Sequence, residues 1–224
     1  MDAKQLLQRL RKLSNPANVA GMARFGINPA KTFGIRIPVL RALAKEVGTD
    51  HELALALWDS GYHEARILAS MVDDVDKVTK TQMERWARDF DSWDVCDQCC
   101  MNLFRYTPWA WDKAKTWSGK KPEFVKRAGF AMMACLVANK TASDDAFVEF
   151  FPLIRREATD ERNFVKKAVN WALRSIGKRN KHLNRLAIAE ARAIQKLDSP
   201  TARWIASDAL RELQNPATRT RLKS

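Results

Sequence analysis

Apolar residues recur along this chain at three- and four-residue intervals from end to end, the spacing that lines one face of an α-helix. In residues 2–13, Leu6, Leu7, Leu10 and Leu13 form one such stripe. A turn-rich connector follows over 14–33, with Asn15-Pro16, Gly21, Gly26 and Asn28-Pro29, and room for a short helix around 19–24. Residues 34–38 lead into a helix over 39–47 that stops at Gly48, a residue type suited to a C-cap. Helix pairs are expected at 51–60 and 62–72, split by Gly61, and at 79–90 and 93–106. Pro108 and Pro122 open helices reaching 117 and 137, because a proline at the first helical position loses an N–H that has no partner there. Ser143 is placed to cap the next helix, which Pro152 should kink or break. Helices at 161–177, 183–197 and 201–214 complete the series, and no stretch alternates with the period of two that marks a strand. The prediction is an all-α fold.

The helices also repeat. Phe124-Val-Lys-Arg-Ala128 recurs as Phe164-Val-Lys-Lys-Ala168, and Trp171-Ala-Leu-Arg174 as Asp208-Ala-Leu-Arg211. Ala65-Arg66-Ile67-Leu68-Ala69 holds a similar place in its own pair. A two-helix unit with a period near 40 residues is what HEAT-type solenoids show. Such a unit cannot bury its apolar face alone, so neighbours stack into one core. The expectation is a single HEAT-like domain over residues 1–224, a curved α-solenoid whose inner helices line a concave, basic face.

Charge sharpens that picture. The chain of 224 residues carries a net charge of +13. Residues 1–112 are balanced at 15 basic and 15 acidic side chains, whereas residues 113–224 hold 24 basic against 11 acidic. One region thus carries the whole positive field, and a polyanion is the matching partner, nucleic acid ahead of membrane lipid. No run of about 18 apolar residues and no amino-terminal signal pattern is present, so a soluble, cytoplasmic protein is expected. The four cysteines, Cys96, Cys99, Cys100 and Cys135, do not make a disulfide framework in a chain of this length. With only His51, His63 and His182 to add, a zinc site lacks its second ligand pair, and packed thiols are expected.

The candidate chemistry starts in Ser92-Trp93-Asp94-Val95-Cys96-Asp97. On a helix, Trp93 and Asp97 share one face, and Ser92 is a cap residue that would set both aspartates near the positive end of the helix dipole. An anion beside a π-face suits a substrate that carries or develops positive charge. A half-buried tryptophan with a solvated aspartate one turn on is the plainer reading of these residues. Arg127 and Trp171 lie on later helices at repeat-like separations, so a solenoid can bring them toward the same patch.

Together with Phe33-Gly-Ile-Arg-Ile-Pro-Val-Leu-Arg41 and Phe164-Val-Lys-Lys-Ala-Val-Asn-Trp171-Ala-Leu-Arg174, the Trp93-x-x-x-Asp97 element resembles the AlkD-like DNA alkylation repair family. The similarity runs from about residue 34 to 213. It implies a glycosylase that releases N3- and N7-alkylated purines such as 3-methyladenine and 7-methylguanine from double-stranded DNA, without a cofactor or metal and as a monomer. It further implies that Trp93, Asp97 and Trp171 meet the damaged nucleotide's sugar and backbone while Arg127 helps hold the strand. One departure is Phe124, where many relatives carry Trp. A small insertion between Arg127 and Trp171 is another.

Among the remaining charges, Lys126, Lys166 and Lys167 sit among cations and read as backbone contacts or solvated groups rather than Schiff-base nucleophiles. Lys178-Arg179-Asn180-Lys181 with Arg185 reads as phosphate contact or as a solvated turn, and Arg174 as a brace or a phosphate grip. Trp58, Trp86 and Trp204 are expected in the core, Trp109, Trp111 and Trp117 between repeats, and Asp94 as a cap or a brace for Trp93. Two other classes fit the pattern: a non-catalytic helical-repeat protein that binds nucleic acid, and a protein-binding scaffold.

Overall fold

The computed structural model describes residues 2–223. Helices dominate, and no strand occurs among the described residues beyond an isolated bridge between Asn180 and Lys223. The chain divides into two compact units, Met1–Trp109 and Ala110–Ser224.

The first unit contains α1 (Ala3–Lys12), α2 (Pro16–Ala23), α3 (Ile37–Val47), α4 (His51–Asp59), α5 (His63–Val72), α6 (Lys80–Arg88) and α7 (Trp93–Asn102). Polar side chains start most of them. Asp2 and Gln5 form a capping box on α1, and Asp50 and Thr79 accept from the third residues of α4 and α6. Trp58 and Trp86 are fully buried, as the sequence predicts, and they stack at 4.0 Å with 2° between planes. Trp58 Nε1 donates to Asp89 at 2.9 Å, and the Arg66 guanidinium sits 5.3 Å over the same ring.

Glu64, fully buried on α5, holds the connector in place. Its carboxylate accepts the backbone N–H groups of Phe33, Gly34 and Ile35 at 2.8, 2.6 and 3.1 Å. That arrangement satisfies an otherwise costly buried anion. Gly34 beside it has φ of +77°, and a Cβ there would lie 2.3 Å from the Asn15 carbonyl oxygen, so the bend requires glycine. From α5 to α7 the contacts run one repeat apart: His63 to Asp94 at 2.9 Å and Asn102 Nδ2 to Ser70 Oγ at 3.3 Å.

The second unit contains α8 (Ala110–Ser118), α9 (Glu123–Leu136), α10 (Asp144–Val148), α11 (Phe151–Arg156), α12 (Asn163–Gly177), α13 (Lys181–Gln195), α14 (Pro200–Leu213) and α15 (Pro216–Thr220). Pro152 falls in the first turn of α11, directly after the break from α10. Gly129 lets α9 cross α8 at close range, for a Cβ there would lie 2.3 Å from the Ser118 nitrogen. The inner helices repeat in register. Asn170 donates to Asp208 at 2.7 Å and Arg174 to Glu212 at 2.6 Å, both pairs 38 residues apart. Stepping four residues on both helices at once means that α12 and α14 run parallel as equivalents of one repeat. α13 packs on both and buries Leu183, Ala187, Ala191 and Ile194.

Three local expectations are corrected. Trp204 is 43% exposed on α14 rather than in the core, because its neighbours Thr201, Ala202, Ile205 and Ala206 occupy the buried face. Ser92 and Ser143 precede α7 and α10 without making a capping hydrogen bond. At α7 the local acceptor is Asp94, which takes the Val95 N–H at 3.0 Å. The helix expected to run to 106 ends at Asn102 and continues as a 3-10 turn, Phe104–Tyr106.

Candidate nucleic-acid interface

Trp93 and Asp97 both lie on α7, in the first unit. Trp93 is half-buried, and its indole N–H donates to the Phe25 carbonyl oxygen at 3.1 Å, which fixes the ring's direction. Asp97, one turn on, is 9% exposed and so is a carboxylate largely removed from bulk water. Asp94 is turned to a different task. Its Oδ2 meets His63 Nε2 at 2.9 Å while Oδ1 caps Val95. Burial alone would lower the His63 pKa, but the hydrogen bond and charge of Asp94, with Glu64 and Asp91 nearby, raise it above the ordinary value. The start of α7 is therefore tied to α5 by an ion pair when His63 is protonated.

In the second unit, Arg127 on α9 is 6% exposed, and its guanidinium donates to the Phe164 carbonyl oxygen at 2.6 Å, so part of it serves the α9–α12 contact. Phe124 and Phe164, the equivalent residues of the two repeats, face each other at 5.5 Å. Trp171 is half-buried on α12, on the same face as Lys167, Arg174 and Lys178.

The basic residues divide by what they touch. Lys126 was expected among cations, yet its ammonium meets two carboxylates, Glu157 and, at 3.1 Å, Asp160. Burial pushes Asp160 up, but hydrogen bonds from Arg162 and Lys126 outweigh it and hold the carboxyl at about 2. Arg174 and Lys178 pair with Glu212 at 2.6 and 2.5 Å. Glu212 is lowered: burial opposes the shift, and Lys178 and Arg174 prevail. Arg179 turns inward, donating to the carbonyls of Val137, Asn139 and Ala142 and lying 4.6 Å over Phe147. Lys167, Lys181 and Arg185 are exposed. Lys166 stands 5.6 Å over the exposed Trp204 ring, an aromatic–cation pair at the surface that apolar spacing had assigned to the interior.

Cys96, Cys99, Cys100 and Cys135 are buried and outside any disulfide, and burial raises Cys99 well above the ordinary thiol value, with the Cys96 and Asp73 charges adding to it. No group of His, Cys, Asp and Glu that could hold a metal ion occurs among the described residues. No helix among them is long and apolar enough to cross a membrane.

Helix pairs stacked so that equivalent inner helices run parallel, one repeat apart, define a HEAT-like repeat protein. The chain belongs to the family described as DNA alkylation repair enzyme, whose sequence model matches residues 6–216. No curated protein matches it by sequence. Among solved structures it is similar to one described as a new family of proteins related to the HEAT-like repeat DNA glycosylases with affinity for branched DNA structures. That likeness has a TM-score of 0.82 at 19% identity and covers 100% of this chain and 97% of the other. At that identity it establishes the fold.

Proposed function

We propose that the protein is a monofunctional DNA glycosylase that hydrolyses the N-glycosidic bond of cationic N3- and N7-alkylated purines in duplex DNA. The observation that carries this reading is Asp97, a carboxylate 9% exposed and one helical turn from an oriented tryptophan, in a chain of this family. An alkylated purine already bears positive charge, so its bond to the sugar needs no general acid. What requires stabilisation is the positive charge that grows on the deoxyribose as the base departs. Asp97, as an anion sheltered from water, meets that need electrostatically, as the carboxylates of glycoside hydrolases do. Trp93 contributes the face of an indole, worth about 0.5–2 kcal/mol against a cation, and Trp171 is assigned the same role from the second unit. Lys126, engaged by Glu157 and Asp160, suits a structural role rather than attack on a sugar carbon. The reading requires no metal or cofactor and a single copy of the chain.

The test is release of 3-methyladenine and 7-methylguanine from N-methylated duplex DNA by the parent and by Asp97→Asn. The variant keeps the side-chain shape and removes the charge, so base release should fall about a hundredfold or more while duplex affinity stays within about threefold. Release at the parent rate by the variant would remove Asp97 from the chemistry.

A second reading is a non-catalytic protein that binds branched DNA, favoured by the description of the similar solved structure. It predicts that the parent liberates no alkylated base and binds junctions more tightly than linear duplex.

A further inference from the structure

One groove of the second unit is lined by neither Arg127 nor Trp171, and two of the cations read as phosphate contacts, Lys181 and Arg185, fall in it instead. It opens between α13 and the C-terminal segment around α15, with a volume of ≈ 870 Å³. Lys181, Arg185, Arg192 and Arg219 line it, and none of its lining residues is acidic. None of these four basic side chains joins a salt bridge among the described residues, unlike Arg174, Lys178, Lys126 and Arg155 in the same unit. Exposed cations with no carboxylate partner among the described residues are the groups that gain most when a phosphate replaces their counterions.

The groove is also built. Lys181 N–H donates to the Lys223 carbonyl oxygen at 3.0 Å, pinning the C-terminal segment to the start of α13. Beneath it, buried Asn184 donates to the carbonyls of Gly177 and Leu213 at 2.9 and 3.2 Å. Along α13, Lys181, Arg185 and Arg192 fall on one face and span about 16 Å, enough for several phosphates of one strand.

Its direction decides what it can bind. α13 buries Leu183, Ala187, Ala191 and Ile194 against α12 and α14, so its basic face points away from both. Trp171 and Lys167 lie on the side of α12 away from its buried stripe of Val165, Ala168, Val169, Ala172 and Ile176. A layer two helices thick, roughly 20 Å, separates the two faces. One duplex would have to turn through roughly half a circle within about 20 Å to touch both, far beyond the smooth bending that a persistence length of about 50 nm allows.

We infer that the α13–α15 groove is a second nucleic-acid site, which grips the phosphodiester backbone of a duplex segment other than the one on the Trp171 face. A chain with two such faces holds two arms of a branched DNA, or two duplexes, at once. This rests on the DNA-binding part of the proposed function and not on base release.

The experiment measures binding of the full chain to an unmodified four-way junction and to a linear duplex of equal arm length, by fluorescence anisotropy over a range of salt. Arg192→Gln with Arg219→Gln removes two groove charges, and Arg192→Gln alone is the milder companion. Both residues are exposed, and circular dichroism verifies the fold. The double variant should lose about tenfold in junction affinity and flatten the log–log salt slope by about 2, with linear-duplex binding within twofold of the parent. Equal losses on both substrates would assign the groove to the same duplex as Trp171, and no loss on either would remove it from DNA binding. Both outcomes overturn the inference. Because no alkylated base is present, they are distinct from any failure of the glycosylase reading.

Discussion

His63 reaches Asp94 at 2.9 Å across the α5–α7 contact, and the pair makes the start of α7 sensitive to pH. The folded-state pKa of His63 is raised above 6.5. Its contribution to stability is therefore complete below 6.5 and lost as pH rises through the raised value. Thermal unfolding monitored by circular dichroism should show a midpoint that falls as pH climbs above 6.5. His63→Gln should flatten that dependence, and an unchanged profile in the variant would show that the pair contributes nothing. The common face of Trp93 and Asp97 on α7 was legible in the sequence, because a four-residue spacing on a helix sets it. His63 and Glu64 were not. Their partners lie about thirty residues away along the chain, and no local pattern announces a contact of that range.

At the scale of helices, period and polarity fixed most boundaries to within a few residues, and proline placed the break before α11. The misplacement of Trp204 has a plain cause. Spacing says which residues share a face, but not which of two candidate faces meets a neighbour, and α14 buries the side carrying Thr201, Ile205 and Ala209. The contact between α8 and α9 gives the sharpest test at this scale. Gly129→Ala would set a methyl group 2.3 Å from the Ser118 nitrogen and 2.9 Å from the Trp117 carbonyl carbon, both backbone atoms. Overpacking of that kind costs about 1–3 kcal/mol, more than the roughly 1 kcal/mol that alanine gains over glycine in a helix. The urea midpoint should fall. Gly21→Ala in α2, with nothing within 4 Å of the new carbon, should raise it by the propensity gain alone.

For the molecule as a whole, the charge asymmetry read from the sequence does not translate into a row of exposed cations. Several cations singled out as phosphate contacts, among them Lys126, Arg174, Lys178 and Arg179, are engaged by acids or carbonyls of neighbouring repeats. A linear count of charges cannot separate such internal pairs from exposed ones, because the partner stands a repeat away. The cysteines point in another direction. All four are buried, and Cys99 is held strongly toward the neutral thiol. Reagents that methylate DNA also attack sulfur, and they do so through the ionised, accessible form. Enclosure of the softest nucleophiles keeps this chain intact in the presence of such electrophiles. Peptide mapping after exposure to a methylating agent should find the four cysteines of the folded chain unmodified, and those of the urea-unfolded chain labelled at up to all four.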